Sequence, residues 1–119
     1  MSEIITIGFI GTGMIATAMV EGFCERVKTK NKILVSNRSI EKAEALAKKF
    51  PENVAVEEDF QSCVDKSDVV VIAVLPNAAS DVIKSLKFRP DQRIVSLVFT
   101  MAKEEIEPLL NCEVTFFFC

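Results

Sequence analysis

The residues best suited to chemistry here are glycines. All four in the chain, Gly8, Gly11, Gly13 and Gly22, lie within residues 8–22, and Gly11, Gly13 and Ala16 spell G-x-G-x-x-A directly after an isoleucine-rich run. Glycine raises the entropy cost of folding, so such a cluster needs a reason. In this pattern Gly11 permits a tight turn, Gly13 lets a diphosphate approach the backbone, and Ala16 lets a helix lie close on a sheet. Amides at the start of that helix, with its dipole, then hold the phosphates. The chemistry is dinucleotide binding; a turn serving helix–sheet packing alone is the competing reading. Gly8, inside the apolar run, and Gly22, further along the helix, read as packing residues.

A second polar group follows the next apolar run, "ILVSN" (Ile33 to Asn37), where Arg38 and Ser39 come next. NAD-binding folds usually carry Asp or Glu at this point, to accept hydrogen bonds from the ribose hydroxyls. A carboxylate would repel a 2′-phosphate, whereas arginine attracts it and can stack on adenine. Asn37 and Ser39 add neutral hydrogen-bonding groups. The expected cofactor is therefore NADP(H), preferred over NAD(H); the alternative for Arg38 is a solvated loop charge. Two further stretches, "AVLPNAAS" (Ala73 to Ser80) and Ser96 to Phe99, follow apolar runs. They would flank the ribose and nicotinamide, or else serve as ordinary loop and core.

Other chemistries are not supported. The chain has no histidine and its four cysteines show no CxxC spacing, which excludes imidazole catalysis and argues against zinc. Asp68, Asp81 and Glu104 read as cap or surface carboxylates, and Cys24, Cys63 and Cys112 as small core or surface residues without an activating partner. No catalytic residue is assigned.

These groups are carried by alternating elements. Ile4 to Ile10 reads as a buried strand, and Ile15, Ala16, Met19, Val20, Phe23 and Val27 recur at helical spacing. After the second strand, Ser39 can cap a helix whose inner face is Ile40, Ala43, Leu46, Ala47 and Phe50, stopped by Pro51. "NVAVEE" supplies a third strand and Asp59 to Lys66 a short helix. "DVVVIAVLP" (Asp68 to Pro76) is apolar on both faces, as suits a central parallel strand, with Pro76 setting a sharp exit. A helix from about Ala78 to Leu86, the strand "RIVSLVF", a helix over "AKEEIEPLL" and a sixth strand in "EVTFFFC" complete the pattern. Right-handed crossovers make this a doubly wound parallel α/β sheet, the Rossmann fold, of order 3-2-1-4-5-6, with ligands at the carboxyl ends of strands 1 and 4.

The 119 residues fit one domain, residues 1–119, with half of them apolar and 26% charged. A net charge of −3 argues against nucleic acid or anionic membrane as partner. No apolar run reaches spanning length and the start lacks a basic region, so a cytoplasmic protein with reduced thiols is expected.

"IGFIGTGMIATAMVEGF", "SNRSIEKAEALA", "SDVVVIAVLP" and "IVSLV" together resemble, in order and spacing, the N-terminal half of pyrroline-5-carboxylate reductases. The resemblance covers essentially the whole chain. It implies NADPH-dependent reduction of the cyclic imino acid 1-pyrroline-5-carboxylate to proline. It also implies a C-terminal helical domain, outside this chain, that completes the substrate groove and builds a homodimer. By the same resemblance Ile10, Gly11, Thr12, Gly13, Met14 and Ile15 wrap the pyrophosphate, and Asn37 with Arg38 holds the 2′-phosphate. Ala73, Val74, Leu75 and Pro76 line the nicotinamide ribose, with Leu97 and Val98 beside the ring. The chain departs from the family at Leu75, where lysine is common, at Val98-Phe99-Thr100, where A-A-G is frequent, and at Phe60, where some members have asparagine. Two alternatives stay open: another NADP-linked reductase of hydroxyacid dehydrogenase or deazaflavin-linked type, and a non-catalytic nucleotide-binding module.

Overall fold

The structure, a computed structural model, describes residues 5–11, 14–26, 31–37, 40–74, 76–97 and 115–118. Six strands form one sheet: β1 (Thr6–Ile10), β2 (Lys32–Ser36), β3 (Val54–Val56), β4 (Val69–Ile72), β5 (Arg93–Ser96) and β6 (Thr115–Phe118). Their spatial order is β3-β2-β1-β4-β5-β6 and every pairing is parallel, the doubly wound order predicted from the alternation. The connections include α1 (Met14–Glu21), α2 (Ile40–Lys49), α3 (Phe60–Lys66) and α4 (Pro76–Ser85).

Strand alternation sends neighbouring residues to opposite faces, and both faces are covered. Phe9, Ile33, Val35 and Val71 join a cluster with Ala16 and Val20 of α1 and Ala43 and Leu46 of α2. Ile10, Leu34, Val70 and Ile72 join the opposite cluster, with Cys63 and Val64 of α3 and Val82 and Ile83 of α4. On β4, Val70, Val71 and Ile72 are at most 2% exposed, so the run is apolar on both sides because both sides are covered. Burying each such side chain stabilises the fold by about 1.5–3 kcal/mol.

Gly8 is a packing residue, as expected. A Cβ there would lie 2.1 Å from Ser67 Oγ and 2.9 Å from Cys63 Sγ, so the missing side chain lets α3 settle on the sheet. Cys63 is fully buried, and burial first, then the nearby Glu57 and Asp59 carboxylates, push its thiol up to about 12. It is a core residue, not a nucleophile.

Both ends of α3 are tied down. Asp59, in extended backbone, caps its start by accepting from the Ser62 amide at 2.7 Å. At its end, Gln92, 1% exposed, donates to the carbonyls of Val64 (2.6 Å) and Ser67 (2.9 Å) and accepts from the Arg89 amide at 2.8 Å. Arg89 itself donates to the Asp65 and Ser67 carbonyls. Asp68, read as a cap or surface carboxylate, accepts from the Thr6 amide at 2.8 Å, fastening the start of β4 to β1.

Four details differ from the sequence expectation. β4 ends at Ile72, and Pro76 opens α4, where a residue without an N–H costs no intrahelical bond. The first helix passes at Gly22–Arg26 into a π-helical turn. Gly22 faces open space, with nothing within 4 Å of a built Cβ, so it is not a packing residue. Ile40 is 36% exposed, because the first residue of α2 projects past the covered face. The expected helix over residues 102–110, Val27 and the cap Ser39 lie outside the described residues. No described helix is long and apolar enough to cross a membrane.

Candidate functional site

The carboxyl ends of the central strands finish level. Ile10 is in register with Ser36 of β2 and with Ile72 of β4, which pairs with Ser96 of β5. All four are fully buried. The chain leaves this row through single backbone bonds: the Gly11 amide donates to the Ser36 carbonyl (2.7 Å), Ala73 to Ile10 (2.8 Å) and Leu97 to Ile72 (2.9 Å). Ile10, Gly11, Asn37, Ala73, Val74 and Leu97, far apart in sequence, therefore come together along one edge.

Gly11 is the pivot of that edge. Its φ is +96°, a left-handed conformation that favours glycine. A Cβ there would stand 2.8 Å from the Ala73 carbonyl oxygen and 3.1 Å from the Val74 nitrogen, both backbone atoms. The first turn thus lies against the exit of β4, and only a residue without a side chain fits. Ala16, 1% exposed, brings α1 close to the sheet, as the G-x-G-x-x-A spacing predicts. Met14 is the first residue of α1 and Ile15 the second, so the helix begins beside this turn. A close, glycine-dependent turn just before a helix start, between β1 and β4, is the arrangement that binds a diphosphate in this fold. Thr12, Gly13, Arg38, Ser39, Leu75 and Val98 lie outside the described residues.

A cleft of about 440 Å³ opens beside Asn37, over the ends of β2 and β3 and against α4. Asn37, Glu58, Asp59, Phe60, Asp81, Val82 and Ser85 line it. The Ser62 amide holds the Asp59 carboxyl below the usual carboxylate range. Of this lining, the sequence assigns only Asn37 to the cofactor. The G-x-G-x-x-A context marks only the glycine turn, whereas the cleft is assembled from three separate connections. Phe60, noted as a departure from the family, is the first residue of α3 and one wall of the cleft. Asp81, expected as a cap or surface carboxylate, is exposed and lines it too. Among the described residues, no three His, Cys, Asp or Glu side chains are placed to share a metal ion.

The chain is similar to several known proteins. It is 34% identical over 110 residues to pyrroline-5-carboxylate reductase 1 of Bacillus spizizenii, covering 88% of this chain and 36% of that one. It is 28% identical over 111 residues to ComE operon protein 4 of Bacillus subtilis, covering 91% and 40%. The solved pyrroline-5-carboxylate reductase of Coxiella burnetii superposes with a TM-score of 0.80 at 28% identity, over 92% of this chain and 41% of that one. The chain thus spans 36% to 40% of the length of these two curated relatives. The family described as NADP oxidoreductase, coenzyme F420-dependent, matches residues 6–100, from β1 through β5 and just beyond. With that match over most of its length, the chain belongs to this family, and its fold is similar to that of the solved pyrroline-5-carboxylate reductase.

Proposed function

We propose that this chain is the NADP(H)-binding domain of a cytoplasmic reductase that converts 1-pyrroline-5-carboxylate to proline, and that it prefers NADP(H) to NAD(H). One observation carries the reading: Gly11, at φ +96°, packs backbone to backbone against Ala73, so the chain leaving β1 passes beside the exit of β4 at a position that only glycine can occupy. Residues 10–15 hold the pyrophosphate there. Asn37, Arg38 and Ser39 hold the adenosine 2′-phosphate, Ala73 to Pro76 border the nicotinamide ribose, and Leu97 and Val98 lie along the ring. When bound, the cofactor would supply a hydride to the imine carbon, the ring nitrogen taking its proton from water. The protein's part is to orient the two reactants, and a C-terminal substrate-binding domain is part of this proposal; the chain spans 36% of the length of the curated reductase. A homodimer built through that domain belongs to the same proposal.

The test is NADPH oxidation dependent on pyrroline-5-carboxylate, measured on the full-length parent. A second reading is favoured by the family description, which names coenzyme F420. It predicts that a reduced deazaflavin, not the imine, exchanges hydride with the nicotinamide in the same assay.

A further inference from the structure

We draw no further inference here: the strongest candidate, the groove of about 300 Å³ between α1 and α2 lined by Ala45, Leu46 and the Lys49–Glu21 ion pair, is a largely apolar face, and nothing in the structure shows what covers it.

Discussion

Gly11 and Ala73 meet backbone to backbone: a Cβ on Gly11 would stand 2.8 Å from the Ala73 carbonyl oxygen, and the residue's φ of +96° disfavours any side chain. The contact joins the first turn to the exit of β4, the two connections that a dinucleotide bridges in this fold.

Gly11→Ala therefore affects stability and binding together. Strain and steric conflict with a backbone atom cost about 1–3 kcal/mol, read by urea denaturation. NADPH affinity falls at least tenfold in a fluorescence titration. A variant that binds NADPH normally would separate this turn from the diphosphate.

Gly8→Ala behaves differently. Its Cβ would overlap Ser67 Oγ at 2.1 Å and crowd Cys63 Sγ at 2.9 Å, beneath the sheet and away from the cofactor edge. Overpacking lowers stability by about 1–3 kcal/mol, while NADPH affinity at a temperature where the variant stays folded is unchanged. Adding Ser67→Ala removes the hydroxyl that conflicts most and recovers part of the loss.

Gln92→Ala tests the lock on α3. Removing the side chain leaves the Arg89 amide without its acceptor and takes one of two donors from each of the Val64 and Ser67 carbonyls. A loss of about 2–3 kcal/mol follows, again without a change in nucleotide affinity. A loss below ~0.5 kcal/mol would mean that the loop does not depend on Gln92.

Cys63 gives stability an alkaline limb. Its thiol is held near 12 when folded, against an ordinary value of 9.0, so above pH 9 the unfolded chain releases a proton that the folded chain keeps. The contribution is complete below pH 9 and disappears as pH rises toward 12. Its slope there is about 1.4 kcal/mol per pH unit. Cys63→Ala, less stable overall, lacks this component. The check is the difference between the two proteins' denaturation midpoints at pH 8 and pH 10.5, which shrinks at the higher pH.

Much of this was legible in the sequence because strands covered on both faces are written as unbroken apolar runs. Val69 to Ile72 is the clearest, and its order among six alternating elements left few topologies. The glycine turn was legible for the same reason that Gly11 tolerates no side chain: the local pattern carries the constraint. Boundaries were less so. β4 seemed to run to Pro76 because Ala73 and Val74 are apolar, yet they cover the turn at Gly11 rather than extend the sheet. Ile40 reads as an inner-face residue by spacing and Gly22 as a packing residue by type, and neither signal says where a covering layer stops. The cleft was illegible because Asn37, Phe60 and Asp81 follow β2, β3 and β4 separately. Only the parallel register brings them to one place.

The proposed cofactor choice rests on the residues after β2. NADPH is predicted to raise the melting temperature more than NADH does, and Arg38→Asp to narrow or reverse the difference by setting a carboxylate against the 2′-phosphate. Equal shifts for both nucleotides in the unmodified chain would refute this role for Arg38.

The most direct test is a titration of the isotopically labelled chain with NADPH, followed through its backbone amide resonances. The amides of Gly11, Asn37, Ala73 and Leu97 are predicted to shift saturably and together, while those of Gln92 and Lys66, at the far end of α3, stay in place. If millimolar NADPH left the Gly11 and Ala73 amides unmoved, the carboxyl edge of this sheet would not be a dinucleotide site.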